Sequence, residues 1–487
     1  MSKQDKKELR QQIACEWLQE NYLNYGSLRH DVVTDRLQIR MPNLESLEDA
    51  SLPNAPEGLQ FRGKDTWRNL TDKDINTMVC QCVAERGVNL SPNEMWTALK
   101  SDMVPAVHPL RAWLNGLKPW NSCEPDWIDI VAQQVRVKNN DNIDNLRPNQ
   151  YPLGAQGEDK NQQPKQLDPT TCSARNNTAS GEGNNTTLSY TNLHNTTPSA
   201  DRLWRGCFKK WFVAMVASWM KDEVVNHTVL VLVGRQGIFK TTWLDNLIPP
   251  ELRAYSSKMP LSGQISKDDR LRLCENAMLN IDELDAICGR EMNIVKSLLT
   301  STDVNERAAY GRLKERRVRL ASFCASTNKR EFLTDITGNR RWLPFEVESI
   351  QNPFHTIIPY ERLYAQAKAL VEEGIFSYWF DMEEMEVLEA HNEEFRAQEN
   401  EEQLLPILFD IPAEGKGEFM TTAQISERLV TYGNIKKPMA LNRLGMLLGT
   451  VGYSKVNRRI GGNKTRGWLV YQRDTDEINS LKKLLVK

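Results

Sequence analysis

Apolar and polar positions along the chain change regime four times. In residues 1–137 short apolar runs alternate with charged ones. Lys6–Asn21 has helical spacing, and Leu28–Met41 alternates as a strand pair about a turn at Thr34-Asp35. Lys73–Arg86, behind a Thr71 cap, and Pro92–Lys100 read as helices, and His108–Leu114 begins another. Residues 138–200 lose this pattern. Asn, Gln, Thr, Ser, Gly and Pro dominate there, little can be buried, and the stretch reads as a flexible linker or insert. Order returns at Asp201. Leu203–Met220 is apolar on most faces, Val229–Val233 and Ala277–Ile281 are buried-strand runs, Lys267–Glu275 is a charged helix, Val318–Ser326 a third strand and Phe354–Gly374 a helix. Asp381–Gln403 is acid-rich and reads as a solvated helix and connector. Beyond it, Thr421–Thr431 and Pro438–Leu448 read as helices, and Tyr453–Gln472 as a hairpin turning at Gly461-Gly462-Asn463.

This division predicts an N-terminal α+β domain (1–137), the linker or insert (138–200), an α/β P-loop ATPase domain (201–380), an acidic helical connector (381–403) and a winged-helix-like domain (404–487). The 487-residue length suits roughly two to four domains. A net charge of -2 excludes a globally basic nucleic-acid binder, so any such surface must be local. Nine scattered Cys form no zinc set and suit a reducing cytosol. No apolar run is long enough to span a bilayer and Met1–Glu8 has no apolar signal core, so the expectation is a cytoplasmic protein with no membrane partner. His108 has no cluster of metal-ligating neighbours and reads as structural or solvent-facing. Trp67, Trp96, Trp113, Trp120 and Trp127 read as core or edge aromatics, with base stacking the minority reading.

The chemistry concentrates in Val229–Leu247. An apolar strand, the loop Gly234–Phe239 and a helix opening with Lys240-Thr241-Thr242 is the context in which backbone N–H groups and a helix N-terminus cradle phosphate. Gly234, Gly237, Lys240, Thr241 and Thr242 are the candidate nucleotide contacts, with Lys240 on the β/γ-phosphates and Thr241 on Mg²⁺. Phe239 stands where the pattern wants Gly, and Gly237 lies two residues earlier. An ordinary strand-to-helix turn with a surface Lys is the alternative. The strand 277–281 ends in Asp282-Glu283, an acidic pair in which Asp282 can hold Mg²⁺ and Glu283 can orient or deprotonate water. The third strand ends in Ser326-Thr327-Asn328, a place to sense the γ-phosphate. Arg340 and Arg341 follow in a Gly-bearing loop, where a planar cationic fork matches phosphoryl oxygens. Between these, Asn305–Arg319 carries Arg307, Arg312, Lys314, Arg316, Arg317 and Arg319 around Tyr310. It reads either as a nucleic-acid-binding hairpin or as a solvated basic face. Lys455, Arg458, Arg459, Lys464 and Arg466 decorate the C-terminal hairpin, which suits DNA contact, with protein docking the alternative.

Taken together, Gly-Arg-Gln-Gly-Ile-Phe-Lys-Thr-Thr, Asn-Ile-Asp-Glu-Leu-Asp, Glu-Arg-Ala-Ala-Tyr-Gly-Arg, Ala-Ser-Thr-Asn and Thr-Gly-Asn-Arg-Arg-Trp-Leu-Pro resemble the virulence-associated protein E family over about residues 60–136 and 201–350. These are AAA+ P-loop ATPases related to superfamily 3 helicases and phage-type primase–helicases. The resemblance implies an ATP- and Mg²⁺-dependent replication helicase of a phage, plasmid or integrated element, working as a hexameric ring on single-stranded or forked DNA. It implies Lys240 and Thr241 as Walker A, Asp282 and Glu283 as Walker B, Asn328 as sensor 1, Arg340 or Arg341 as the arginine finger, and Tyr310, Arg312 and Lys314 as the DNA hairpin. No primase carboxylate cluster occurs in residues 1–137, so priming would fall to a separate protein. The competing function is a regulatory ATPase switch that acts on protein partners without unwinding DNA.

Overall fold

The computed structural model describes residues 3–40, 67–138, 199–259, 266–282, 284, 289–306, 315–333, 339–374, 376–397, 400–412, 417–436 and 438–478. The expected α/β character holds throughout, with helices layered on several mixed sheets.

The N-terminal part begins with α1 (Lys3–Leu18) and a four-stranded mixed sheet of β1 (Leu28–Asp31), β2 (Arg36–Arg40), β3 (Trp67–Asn69) and β4 (Ala106–Val107), in the order β3-β2-β1-β4. Its helices α2 (Asp72–Arg86) and α3 (Pro92–Leu99) start where Thr71 and Ser91 each close a reciprocal capping box. Trp17, Met78, Met95 and Leu99 fill their shared core. Next come α4 (Pro109–Asn115) and α5 (Trp127–Ala132). His108 is the N-cap of α4: its Nδ1 accepts the Arg111 N–H at 3.3 Å, the structural one of the two roles its isolation allows.

Packing runs across residue 137. Strand β5 (Val135–Val137) is the antiparallel edge of the central six-stranded sheet, and α4 and α5 share a core with the long helix α6 (Ala200–Met220). The other five strands are parallel: β6 (Val229–Val233), which leads into α7 (Lys240–Asp245); β7 (Ser256–Lys258), followed by α8 (Lys267–Glu275); β8 (Met278–Ile281), followed by α9 (Gly289–Thr300); β11 (Ser322–Thr327); and β12 (Trp342–Ile350). The hairpin β9 (Asp303–Glu306) and β10 (Glu315–Val318) intervenes before β11. The order is β5-β12-β6-β11-β8-β7, so β11 separates the loop-bearing strand from the acidic one. β6, β8 and β11 are buried at every position, as strands covered on both faces must be.

Three expectations need correction. Val318–Ser326 is not one strand: the chain breaks between β10 and β11 at Arg319, which is fully buried. Its guanidinium donates to the carbonyls of Leu298 (3.0 Å), Leu299 (2.7 Å), Ser301 (3.3 Å), Ala321 (3.2 Å) and Asn226 (2.8 Å). Burial pushes its pKa down to about 9, which leaves it cationic at neutral pH, satisfied by carbonyl dipoles at the C-terminus of α9. The helix expected from Phe354 begins only at Tyr360, as α10 (Tyr360–Glu373), because Asn352 makes a turn first: its side-chain oxygen accepts the Phe354 N–H. The acidic connector is not one solvated helix. It is α11 (Met382–Asn392), a short 3-10 turn and α12 (Asn400–Leu408), with Leu388, Asn392, Phe395 and Glu401 buried.

The C-terminal part follows the helix, helix, hairpin order: α13 (Thr422–Gly433), α14 (Leu441–Val451), β15 (Lys455–Ile460) and β16 (Asn463–Gln472), with β13 (Phe409–Asp410) and β14 (Glu418–Met420) on opposite sides of β16.

Candidate functional site

β6 ends at the loop 234–239, and only unusual backbone carries the chain from it into α7. Gly234 has φ +156° and a Cβ there would lie 2.9 Å from the Val347 carbonyl; Gly237 has φ +84°. Phe239 has φ 67° and ψ 18°, the left-handed conformation that glycine adopts without strain. For a Phe it costs on the order of 1–2 kcal/mol. The loop therefore keeps the backbone that the glycine pattern demands while carrying a side chain.

The loop fixes Lys240. Its ammonium is buried and donates to the carbonyls of Gly234 and Arg235, each at 2.7 Å, and to Asn328 Oδ1 at 3.1 Å. Thr241 Oγ1 donates to Asp282 Oδ1 at 3.3 Å and lies 3.0 Å from Ser326 Oγ, which is itself 3.3 Å from the same carboxylate oxygen. These groups, with Gln236, Gly237, Phe239, Thr242 and Thr327, line a cavity of about 310 Å³. Residues from α7, β8 and β11 thus converge at the C-terminal edge of the parallel sheet. Asn280 reinforces the convergence from below by donating to Asp245 Oδ1 at 2.7 Å, which ties β8 to α7.

Burial pushes the Asp282 carboxyl upward, but the Lys258 ammonium, donating at 2.6 Å to Oδ2, and the Ser326 and Thr241 hydroxyls outweigh it and hold it below the usual carboxylate range. Asp282 is therefore ionised, with Oδ2 held by Lys258 and Oδ1 turned toward two hydroxyls. A carboxylate and hydroxyls are the hard oxygen donors that suit Mg²⁺, an ion that takes few protein ligands and completes its shell with water and phosphate. No cluster of three or more His, Cys, Asp or Glu positioned for a metal occurs among the described residues.

Of the sequence-predicted residues, Gly234, Gly237, Lys240, Thr241, Thr242, Asp282 and Asn328 come together. Glu283, Tyr310, Arg312 and Lys314 lie outside the described residues. Arg340 and Arg341 do not join the cavity. They precede β12, whose Trp342 pairs with Val229 at the start of β6, so they sit at the opposite edge of the sheet, roughly 20 Å along the strand direction from Gly234. Arg340 is exposed and Arg341 half-buried, and neither has an acidic partner among the described residues. Three cations of the basic stretch are already engaged: Arg316 with Asp303, Arg317 with Glu275 and the Val33 carbonyl, and Arg319 as above. Sequence reasoning missed Ser326 as a partner of Asp282, although it had marked that strand end. It also missed Lys258, whose strand Ser256–Lys258 has no apolar run to announce it.

Residues 184–397 match the model of the virulence-associated protein E-like domain, a span that contains every placed residue of this site. No curated protein matches the chain. Among solved structures, the apo NrS-1 C-terminal region (305–718) is similar at 10% identity, covering 92% of this chain and 97% of that one with a TM-score of 0.41. Its A form covers 93% and 99% at 10% identity with a TM-score of 0.39.

Proposed function

We propose that this chain is an ATP-hydrolysing motor of the AAA+ type that moves on DNA during replication of a phage, plasmid or integrated element. The observation that carries the proposal is the convergence of Lys240, Thr241, Asp282, Ser326 and Asn328 at one edge of a parallel sheet in which β11 stands between the loop strand and the acidic strand. Backbone N–H groups of the loop would cradle the phosphates of ATP, and Lys240 would exchange its carbonyl partners for the terminal phosphate oxygens. Thr241 and Asp282 would hold Mg²⁺, whose charge would neutralise the β- and γ-oxygens. Asn328, already on Lys240, would sense the γ-phosphate, and Glu283, one residue beyond Asp282, would orient the attacking water. The match of residues 184–397 to the virulence-associated protein E-like domain supports the replication setting.

Arg340 and Arg341 stand too far from Lys240 of their own chain to act there, so the proposal includes a ring, a hexamer by resemblance, in which they enter the neighbour's site. The two helices and ribbon at residues 422–472 suit a winged-helix-like module. Residues 307–314, with Tyr310, Arg312 and Lys314, would contact DNA, and a separate primase would supply primers.

The second reading, a regulatory ATPase switch acting on protein, draws support from Arg317 and Arg319, the first largely and the second fully buried, whose side chains are committed within the chain. Two substitutions and one ligand test the proposal. Lys240→Ala should lose ATP binding, Glu283→Gln should bind ATP without turning it over, and single-stranded DNA should stimulate the parent. ATP hydrolysis by Lys240→Ala at the parental rate would sink the phosphate-loop assignment. Absence of DNA stimulation in an active parent would favour the switch.

A further inference from the structure

We infer that Phe239 and Phe354 form an aromatic seat for the base of the bound nucleotide, of the purine class. This rests on the nucleotide reading of the site and extends it to the other end of the ligand. The groups that would meet the last phosphate, Asp282, Ser326 and Asn328, belong to β8, β11 and their ends, all on one side of β6. A triphosphate running across the loop toward them carries its nucleoside the other way, over β12. That strand is parallel to β6, with Glu346 paired to Val233, so the chain leaving it emerges at the same edge of the sheet as the loop.

The emerging chain is a defined turn rather than a slack connection. Asn352 Oδ1 accepts the Phe354 N–H at 3.0 Å, and the Asn352 carbonyl accepts those of His355 and Thr356, both at 3.0 Å. The turn holds Phe354 in solvent at 76% exposure, beside Ile357 at 87%. The Phe354 ring meets Phe239 edge to face, with centroids 6.2 Å apart at 84°. Two anomalies therefore coincide at one ring contact, whose Phe239 lines the cavity. A residue other than Gly is kept in left-handed backbone at the loop position next to Lys240, and a large apolar side chain is kept in water against it. A retained strain at a binding loop points to function. An aromatic pair with an open face is what a nucleobase stacks on, and a purine offers the larger face.

The proposal reverses the effect expected from restoring the missing glycine. If Phe239 were only a tolerated departure, Phe239→Gly would relieve strain and leave ATP affinity equal or better. As a base seat, Phe239→Gly and Phe354→Ala should each weaken ATP binding on the order of tenfold. Both should bind magnesium tripolyphosphate, which has no base, as the parent does. Calorimetric Kd values for the two ligands decide the matter, with thermal melting to show that the variants are folded. ATP affinity unchanged or improved in Phe239→Gly overturns the seat, as does an equal loss for both ligands, which would mean a damaged phosphate loop. If the parent binds neither ligand, the nucleotide reading itself falls and the seat with it; a parent that binds both, beside variants that keep full ATP affinity, removes the seat alone.

Discussion

The two edges of the central sheet handle positive charge in opposite ways. At the C-terminal edge the two cations closest to Asp282 have polar partners: Lys240 lies on two carbonyls and Asn328, and Lys258 on Asp282. At the N-terminal edge the cations divide. Arg319 is locked inside against carbonyls, while Arg340 and Arg341 stand without an acidic partner among the described residues. An organised site lowers the reorganisation needed when phosphate charge arrives, which is how a preformed polar cavity stabilises a reaction. Two arginines without an acidic partner among the described residues gain no ion-pair stabilisation from those residues. Under the proposed function, one edge would serve the chain's own nucleotide and the other a neighbour's.

The largest effect should come from breaking that division of labour. Replacing Arg340 and Arg341 together by Ala should leave ATP binding intact and lower turnover by roughly 10³–10⁵, on the order of 4–7 kcal/mol of barrier. Mixing this variant with Lys240→Ala should restore part of the ATPase, because some interfaces then join an intact loop to intact arginines. No recovery in mixtures shown by native mass measurement to contain both chains would refute a shared site.

Next in size is Arg319. Arg319→Met removes a buried cation and takes one donor from each of five carbonyls, of which Leu298 keeps the Ser301 N–H and Leu299 keeps His227, so denaturant unfolding should show a loss of about 3–5 kcal/mol. A loss below about 1 kcal/mol would mean that water replaces the guanidinium and that this edge is less rigid than its packing suggests.

The smallest expected effect lies where the N-terminal part meets the same edge. His108 lines a cavity with Arg111, Arg317 and Arg319, and burial, with Arg111 beside it, lowers its pKa from 6.5 to about 4. The unfolded chain then takes up a proton at higher pH than the folded one, so protons favour unfolding. The stability tied to neutral His108 is complete above pH 6.5 and is lost as pH falls from 6.5 toward 4. His108→Asn keeps an N-cap acceptor and should flatten the melting temperature across that window. An identical pH profile in the variant would remove His108 from the account.

Much of the nucleotide edge was legible in the chain because its signals are local. Strand, loop and helix follow one another within Val229–Leu247, and the cap at Thr71 is set by a residue three positions on. Backbone hydrogen bonding and side-chain periodicity act over one or two turns, so composition in a short window predicts them. Errors arose where partners are distant in sequence. An apolar run could not reveal that Arg319 would break Val318–Ser326, since its acceptors come from residues 226, 298, 299 and 301. An acid-rich run could not reveal that Asn392 would be buried, donating to the carbonyls of Asn339 and Trp342.

What the sequence determined by itself was the residues at three strand ends: a Gly-bearing loop leading into Lys240 and Thr241, an acidic strand end at Asp282 and a polar one at Asn328. What only the tertiary structure decided was arrangement. It inserted β11 between the loop strand and the acidic strand, brought Lys258 onto Asp282, set Phe239 in left-handed backbone against Phe354, and put Arg340 and Arg341 at the edge away from Lys240. The physical reason is that strand order and the edge at which a residue emerges depend on how layers bury their apolar faces. That is a property of the whole packed sheet, to which each short window contributes only its own hydrophobicity.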